Sequence, residues 1–525
     1  MSQSLFKQSF RRSTMEHDNL HLGLAIHAKN KGNETALVFE DKRLTFIEFF
    51  NRINSLGQAM MIQGIKKGDH VILYMRNRME MVEIYYAIST IGAIAVPINY
   101  MVRGQDLIEL VNSSDAVFAF VEIEKKTDFD AAFPKFLRIR LDNTVLVGGT
   151  SNETYINYDT FFMMNTNPTN VQVGPQNLSS LIYSSGTTSL PKGIMLSHGA
   201  LLTRVLRFAI EWGLTYKDTV LITVPMYHSI GHALMLTLSV LGCKLVVTRE
   251  FDPEKTIKLM QNEKVTCSIF VPTQYTMMLQ VPMIDQYDLS SVRLLISGGA
   301  PIRAETKKLI MEKFSCEFSE FFGSTETGAV IVLRPKDVIR KAKSVGLQAE
   351  YAEVRLVDNE GKDVGIGEEG EFAVRWGGLF SGYYNLPEET MKSHLEDGWF
   401  LLGDVGKMDE EGFFYLLDRK KDMIISGGVN IYPKDIEEVL YTNQAVLEAA
   451  VIGIPDEKWG ENVKAFVVLK EGEKVDKDAL IEYCNNQLAS FQRIKELEYL
   501  ESLPRNPSGK ILKRELRFAN KIELN

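Results

Sequence analysis

A loop rich in hydroxyl groups and glycine is the first segment of the chain that could do chemistry. The segment LIYSSGTTSLPKGIMLSH, residues 181–198, begins as an apolar strand and then offers hydroxyls and unencumbered amides that suit phosphate oxygens. Lys192 adds a positive charge, but the loop is not of the Walker A type, because Pro191 precedes the lysine and Gly193 follows it. A cluster of this composition is also typical of a plain surface turn. The candidate phosphate-binding residues are Ser184, Ser185, Gly186, Thr187, Thr188 and Lys192.

This loop resembles the phosphate loop of the adenylate-forming superfamily, which comprises acyl-CoA synthetases, peptide-synthetase adenylation domains and beetle luciferases. Further motifs of that superfamily follow in order, so the resemblance covers nearly the whole chain. It implies an α/β fold with a large N-terminal domain of α/β subdomains plus a small β-rich subdomain, and a small mobile α+β C-terminal domain. It also implies ATP, Mg²⁺ and CoA as the small molecules bound.

Two downstream motifs are similar to the superfamily's adenine-binding segments. SGGAP follows an apolar strand, and glycines there let the backbone lie against a flat ring. FFGSTETG resembles the family's Y-G-x-T-E, with Phe322 in place of the tyrosine, and stacking on adenine needs only the ring. The residues implied at the adenine are Gly298, Gly299, Ala300, Pro301, Phe322 and Gly323.

The same resemblance assigns the α-phosphate, the metal and the ribose. Thr325 would contact the α-phosphate, and Glu326 would bind Mg²⁺, a hard cation that prefers oxygen ligands. GWFLLGD is similar to the family's G-W-F-x-T-G-D, with Leu402 in place of the threonine. Asp404 would accept hydrogen bonds from both ribose hydroxyls, and Arg419 would assist there.

The last two motifs concern movement and catalysis. DRKKDMIISGGVN resembles the family's hinge and the loop after it, which makes Lys421 the hinge residue and places Gly427 and Gly428 along the path of the pantetheine arm of CoA. PRNPSGKILKR matches the family's P-R-x-x-x-G-K and makes Lys510 the catalytic lysine. A cation at that place would stabilise the crowded anionic transition state of carboxylate attack on the α-phosphate. Taken alone, these lysines would be surface charges.

The segment VPMYHSIGH lies where the family begins its acyl pocket. Amino-acid-activating relatives carry an aspartate there, whereas this chain has His228 between Tyr227 and Ser229, which disfavours an amino-acid substrate. His228 resembles the aromatic gate residue of acyl- and aryl-CoA ligases, although a packing histidine is the alternative. The predicted acyl pocket consists of Tyr227, His228, Met277 and Ala329.

The predicted pocket walls are the segments 233–241, 271–279 and 329–333, and none of them contains a charged residue. Flexible methionines there could fit an aliphatic tail, but they are equally ordinary core filler. We therefore expect a medium- or long-chain fatty acid as substrate, with an aromatic acid such as a cinnamate or benzoate as the close second.

The resemblance implies an acid–thiol ligase that forms acyl-AMP and pyrophosphate and then transfers the acyl group to CoA, releasing AMP. The implied catalytic residues are Lys510, Thr325, Glu326 and His228. A stand-alone ligase that loads a carrier protein would share every motif, because carrier and CoA present the same phosphopantetheine arm. A luciferase-like oxygenase fits less well, and the retained motif residues argue against a non-catalytic nucleotide-binding relative.

The elements that must position these residues alternate along the chain. Short apolar runs such as HVILY, KLVV and CSIFV are separated by helical patterns, which indicates an α/β chain. From about residue 354 strand patterns with Gly- and Asp-rich turns predict a β-rich subdomain, and the last hundred or so residues read as α+β. We place the boundary at the charged DRKKD stretch, which gives an AMP-binding domain at 1–420 and a mobile domain at 421–525.

Composition excludes several classes of protein. The chain has 525 residues, with 45% hydrophobic and 24% charged residues, as in ordinary globular proteins. The net charge, 59 − 68 = −9, argues against nucleic acid as the main partner. The four cysteines are scattered without a C-x-x-C pair, which disfavours a disulfide framework or a zinc site and fits a reducing, cytoplasmic location.

Two uncharged stretches, residues 84–102 and 219–243, are long enough to span a bilayer by count alone. Both are interrupted by glycine and proline, so we expect a helix joined to a buried strand in each rather than an integral membrane segment. The N-terminus lacks the apolar core of a secretion signal. The expected partners are a small-molecule carboxylic acid and CoA, with a carrier protein as the alternative acceptor.

Overall fold

The computed structural model describes residues 19–149, 155–163, 166–183, 191–505 and 511–519. Within these ranges the chain divides into two compact units. The first unit takes the described residues up to 353 together with residues 375–392, and the second takes residues 354–374 and the described residues from 393 onward. The sequence-based boundary at residue 420 concerns parts that move relative to one another, and it stays a prediction.

The first unit contains two sheets. Their strands are β1 (Thr35–Phe39), β2 (Lys42–Thr45), β3 (His70–Tyr74), β4 (Ile94–Pro97), β5 (Phe118–Glu122), β6 (Thr144–Val147), β7 (Ile156–Asn157), β8 (Leu178–Tyr183), β9 (Gly193–Ser197), β10 (Thr219–Ile222), β11 (Lys244–Val247), β12 (Cys267–Phe270), β13 (Leu294–Ser297), β14 (Glu317–Ser324), β15 (Gly328–Leu333) and β16 (Leu347–Gln348). One sheet has the order β16-β15-β14-β13-β12-β10-β11-β1-β2, and the other β7-β6-β5-β3-β4-β8-β9.

Parallel pairing dominates the inside of both sheets, and antiparallel pairs lie toward their edges. All five residues of β3 are buried, as are all five of β5. Burial on both faces is what turns such strands into continuous apolar runs rather than alternating ones. The mixed α/β architecture predicted from the sequence is confirmed.

The helices of the first unit cover these sheets. They are α1 (Leu22–Lys31), α2 (Phe46–Ile62), α3 (Met79–Thr90), α4 (Gly104–Ser113), α5 (Lys126–Ala132), α6 (His198–Trp212), α7 (Ser229–Val240), α8 (Pro253–Glu263), α9 (Pro272–Leu279), α10 (Ala304–Phe314) and α11 (Pro387–Lys392). Around β3 and β5, Ile72 and Val121 pack in one apolar cluster with Leu107 of α4 and Phe129 of α5. This cluster holds α4 and α5 against the sheet that contains β3 and β5.

Both long uncharged stretches resolve into a helix and a strand, as the interruptions predict. Residues 84–102 contain the end of α3 and then β4, and residues 219–243 contain β10 and then α7. Across the described part of the chain, none of the helices combines the length and apolarity needed to cross a membrane.

The second unit contains two further sheets. Strands β17 (Glu353–Val357), β18 (Gly370–Arg375), β19 (Phe400–Met408) and β20 (Phe414–Arg419) form a four-stranded sheet, which is the predicted β-rich part. The second sheet is built from β21 (Ile424–Ser426), β22 (Val429–Ile431), β23 (Val446–Asp456), β24 (Gly460–Leu469) and β25 (Glu496–Tyr499). Helices α12 (Pro433–Thr442), α13 (Lys477–Asn485) and α14 (Lys513–Ala519) complete this unit.

An apolar cluster holds the last sheet and its helices together. Ile436 and Leu440 of α12 and Leu480 of α13 pack against Val451 and Val467 of the central strands. The predicted α+β pattern of the C-terminal hundred residues is thus present as a packed body with its own core.

Candidate functional site

The turn that carries the TETG sequence joins β14 to β15. The two strands approach so closely at its base that a Cβ atom on Gly323 would lie 1.9 Å from the carbonyl oxygen of Gly328. Gly328 also has a φ of +66°, which favours glycine. The sequence therefore fixes a narrow hairpin end, and Thr325 and Glu326 lie in the turn beyond it.

Arg204 of α6 binds the backbone of this turn. Its Nη1 donates to the carbonyl of Thr325 at 3.0 Å and its Nη2 to the carbonyl of Glu326 at 2.6 Å. Its Nε donates to the carbonyl of Gly378 at 2.7 Å. The side chain is buried, and burial followed by the positive charge of Arg207 lowers the pKa of Arg204 to about 9, which leaves it charged at neutral pH. Arg204 is therefore a positioning residue for the predicted α-phosphate and metal ligands.

The carboxylate of Glu326 is oriented by a tyrosine that the motifs did not indicate. The hydroxyl of Tyr383 donates to Glu326 Oε1 at 3.0 Å. Burial and then the negative charge of Glu326 raise the pKa of Tyr383, so the hydroxyl keeps its proton. The Nζ atom of Lys192 lies 4.9 Å from the centre of the same ring and 2.8 Å from Glu389 Oε2. Tyr383 thus brings together the predicted phosphate-binding lysine and the predicted metal ligand.

The predicted phosphate-loop residues Ser184, Ser185, Gly186, Thr187 and Thr188 lie outside the described residues, as does the predicted catalytic residue Lys510. The flanks of both segments are described. Tyr183 of β8 pairs with Gly193 of β9 on either side of the first segment. Arg505 pairs with Ile511 on either side of the second. Each segment therefore starts and ends at neighbouring points of a sheet or bridge.

The predicted adenine segment follows β13, next to β14. These strands run parallel with Ser297 opposite Glu320, so the residues after β13 and the end of β14 meet at one edge of the sheet. A Cβ atom on Gly298 would lie 2.3 Å from the ring of Phe321. Close packing against this ring therefore requires glycine at position 298. Gly299, Ala300 and Pro301 are exposed at that edge, and Phe322 is half-buried on β14.

The predicted gate histidine directly precedes α7. Burial lowers the pKa of His228 to about 4, so the imidazole is neutral at neutral pH. The next residue, Ser229, accepts a hydrogen bond from the Thr325 hydroxyl at 3.4 Å, which joins the gate segment to the TETG turn. Tyr227 is buried, with its ring centre 4.5 Å from that of His228.

The other two predicted acyl-pocket residues differ in their surroundings. Ala329 is buried on β15, directly after the TETG turn. Met277 of α9 is 47% exposed, whereas its neighbour Met278 is fully buried. The structure thus places Ala329 beside the turn and the gate, and it does not bring Met277 into the buried part of the wall.

The predicted ribose residues meet in the second unit. Asp404 of β19 stands opposite Arg419 of β20 in the antiparallel register, and Arg419 Nε lies 3.5 Å from Asp404 Oδ1. A cavity of about 330 Å³ is lined by Leu402, Gly403, Arg419, Lys420 and Lys421. Loss of hydration and the charge of Arg419 lower the pKa of Lys421 to about 8, although part of its side chain stays exposed.

The two predicted CoA-path glycines form the turn between β21 and β22. Gly427 has a φ of +60° and Gly428 a φ of +81°, as a two-residue hairpin requires. The amide of Gly427 donates to the carbonyl of Trp459 at 2.7 Å, and a Cβ atom on Gly427 would lie 2.8 Å from the ring of Trp459. The hairpin therefore needs both glycines whether or not CoA passes them.

The residues present fit a magnesium ion that is carried in by phosphate. In the described part of the chain, no three His, Cys, Asp or Glu side chains form a group that could hold a metal. Glu326 stands alone as a carboxylate at the turn, and Mg²⁺ is usually held by one or two carboxylates together with substrate phosphates and water.

Comparisons with known proteins assign this arrangement to a family. The model of the AMP-binding enzyme family matches residues 24–384, and that of its C-terminal domain matches residues 435–510. The chain is 32% identical over 493 residues to a feruloyl-CoA synthase of Amycolatopsis sp., covering 93% of this chain and 96% of that protein. It is 33% identical over 482 residues to a long-chain-fatty-acid–CoA ligase of Mycobacterium tuberculosis, covering 91% and 93%.

A solved structure agrees with these relatives. The o-succinylbenzoate CoA synthetase of Bacillus subtilis, in complex with its acyl-adenylate intermediate, superposes with a TM-score of 0.83 and 27% identity over 94% of this chain and 97% of that one. The motifs, the fold and the two family models thus point to one conclusion. The chain belongs to the AMP-binding enzyme family and is an acid–thiol ligase that uses ATP and CoA.

Proposed function

We propose that the protein converts a carboxylic acid to acyl-AMP with Mg·ATP and then transfers the acyl group to CoA. The observation that carries this proposal is the constellation at the TETG turn, where Lys192 and Glu326 flank Tyr383 and Thr325 contacts the gate segment. A cation, a metal-binding carboxylate and a hydroxyl are the groups that phosphoryl chemistry at an α-phosphate requires.

In the first half-reaction, Thr325 would donate its hydroxyl to the α-phosphate while Lys192 binds the outer phosphates. Bound Mg²⁺ would neutralise charge on the phosphates as the carboxylate attacks. Tyr383 would hold the Glu326 carboxylate in one orientation, and Arg204 would hold the backbone of the turn. Neutral His228 would separate the acyl pocket from the charged part of the site.

In the second half-reaction, the CoA thiol would attack the acyl-AMP carbonyl and release AMP. We assign Lys510 to adenylation, Lys421 to the hinge and the Gly427–Gly428 turn to the pantetheine path, on the match of these positions to the family motifs. Asp404 and Arg419 would bind the ribose in both steps. One active site would then serve two transition states through a conformational change.

The proposed substrate is a medium- or long-chain fatty acid, and an aromatic acid is the alternative. Relatives of this chain act on an aromatic acid and on long-chain fatty acids. The first experiment is therefore pyrophosphate release from Mg·ATP with acids from acetate to palmitate, benzoate and a cinnamate, each with and without CoA. Pyrophosphate release that increases with CoA supports the proposal. Release that does not change with CoA would favour a ligase that loads a carrier protein. No release with any of the acids would contradict the proposed ligase function.

Tyr383→Phe should weaken the use of magnesium without abolishing turnover. The change removes one hydrogen bond to a charged group, which is worth about 1.5 kcal/mol, so we expect the Mg²⁺ concentration for half-maximal activity to rise by about tenfold. Glu326→Gln should raise the Mg²⁺ requirement further and lower kcat/KM for pyrophosphate release by about 10²–10³-fold even at saturating Mg²⁺. An unchanged magnesium dependence in both variants would show that Glu326 is not a metal ligand.

Lys510→Ala should separate the two half-reactions. Because the lysine is assigned to the first transition state alone, we expect loss of pyrophosphate release from ATP and acid, with retained thioester formation from preformed acyl-AMP and CoA. Single-turnover assays of each step measure this. Equal loss of both steps would contradict the assignment of Lys510 to adenylation.

Two substitutions of Gly428 distinguish a turn requirement from a CoA path. Asparagine tolerates the positive φ of this residue, whereas leucine does not, yet both add a side chain. If the pantetheine arm passes here, Gly428→Asn and Gly428→Leu should both slow thioester formation by about tenfold or more while adenylation continues. Normal CoA turnover in the asparagine variant would leave the hairpin as the sole reason for the glycine.

A further inference from the structure

Arg207 of α6 is a buried cation that the adenylation chemistry does not use. Its side chain is only 3% exposed, and none of its three guanidinium nitrogens has a hydrogen-bond partner among the described residues. Its Cζ atom lies 4.7 Å from the ring centre of Trp376 and 5.6 Å from that of Phe208. Glu211, the acid whose charge acts on it, is bound instead to Arg334 at 2.6 and 3.0 Å.

This guanidinium is charged and poorly compensated. Burial lowers the pKa of Arg207 to about 10, which still leaves it protonated at neutral pH. Contact with aromatic faces offsets part of the lost hydration, but it leaves the N–H groups unsatisfied. Buried cations in proteins are otherwise paired, because an unpaired one costs several kcal/mol. Among the described residues, this guanidinium therefore has no hydrogen-bonded anion.

Arg207 lies beside the TETG turn. Arg204, one helical turn earlier, binds the Thr325 and Glu326 carbonyls, and three residues along a helix correspond to about 4.5 Å. Trp376, which covers one face of the guanidinium, donates its Nε1 proton to the carbonyl of Thr327 at 3.1 Å. Arg207 is thus next to the tryptophan that binds the TETG turn, on the same helix as the arginine that binds it.

The neighbouring helix carries further polar atoms that lack partners. Helix α6 packs against α7, whose first residue follows the predicted gate. Among the described residues, buried atoms without a hydrogen-bond partner include the Tyr227 hydroxyl and the Nε2 atoms of His228 and His232. Helix α7 and the residues just before it therefore offer unpaired polar atoms at several points, although the segment 233–241 contains no charge.

We propose that Arg207 binds a second carboxylate of the substrate, so that the preferred acids are dicarboxylic. With Trp376 on one face, the edge of the guanidinium presents parallel N–H donors that match a carboxylate in a two-point contact. Arg204 does not compete for it, because its donors are used by three backbone carbonyls. This proposal rests on the proposed ligase function and narrows its substrate class.

The test compares acids of equal length in the wild-type protein and in Arg207→Met. The probes are the monoacids from butyrate to decanoate, the diacids from succinate to sebacate, and cinnamate with 4-carboxycinnamate. In the wild type, the best diacid should exceed its matched monoacid in kcat/KM by about tenfold or more. In Arg207→Met this preference should vanish or reverse, with the KM for ATP unchanged.

Two measurements without turnover complete the test. Since methionine replaces an unpaired buried charge, the Tm of Arg207→Met should equal or exceed that of the wild type, whereas loss of a structural ion pair would lower it. Calorimetry should detect binding of the best diacid to the wild type and not to Arg207→Met. As a comparison on the same helix, Arg204→Lys should lower turnover of all acids alike.

The outcomes separate this proposal from the ligase function. Turnover of monoacids with CoA and no preference for any diacid would overturn the role of Arg207 and leave the ligase standing. The same holds if Arg207→Met keeps the wild-type preference or if its Tm falls. Failure of every acid to release pyrophosphate would overturn the ligase function itself.

Discussion

The hydrogen bonds from Arg204 to the backbone of the TETG turn are the constraint on which the site depends. A buried guanidinium is tolerable here because three carbonyl oxygens accept its protons. Carbonyl groups, unlike carboxylates, do not neutralise the positive charge of Arg204. This charge is therefore in contact with the backbone of Thr325 and Glu326. The same contacts that fix the turn in place therefore also supply a positive potential where phosphate would bind. Arg204 thus determines both the conformation of the turn and the charge next to it.

The parallel sheet explains how distant motifs reach this turn. Strands β13 and β14 end at the same edge, so the SGGAP segment and the TETG turn meet there although they are separated in the chain. Hairpin β8–β9 brings Lys192 in from another sheet, and the pairing of Ile194 with Tyr383 carries the tyrosine beside it. Each of these groups lies directly beside a paired strand, which restricts its movement more than a long loop would.

Much of this could be predicted from the sequence because the signals are local. The apolar run HVILY coincides with β3, and the local signal of Thr45 followed by Glu48 forms the capping box that begins α2. The family motifs located Glu326 and Asp404 by their spacing. Arg204 and Tyr383 were missed because their contacts with the TETG turn span 121 and 57 positions of the chain. Arg207 was missed because its feature is the lack of a partner among the described residues. Two arginines on the apolar face of an otherwise amphipathic helix were the available signal.

Helix α6 carries two buried arginines, Arg204 and Arg207, that differ in their hydrogen bonding. They lie one turn apart, are almost equally buried and carry the same charge, yet among the described residues Arg204 has hydrogen-bond acceptors and Arg207 has none. If α6 served packing alone, an apolar side chain at position 207 would be the more stable choice, since replacing a buried charge by a hydrophobic residue of similar volume is often stabilising. Residues that destabilise the fold locally, such as a buried charge without a partner, are expected at functional sites. Among the described residues no acceptor completes the Arg207 guanidinium, and the second carboxylate of the proposed dicarboxylic substrate would supply one.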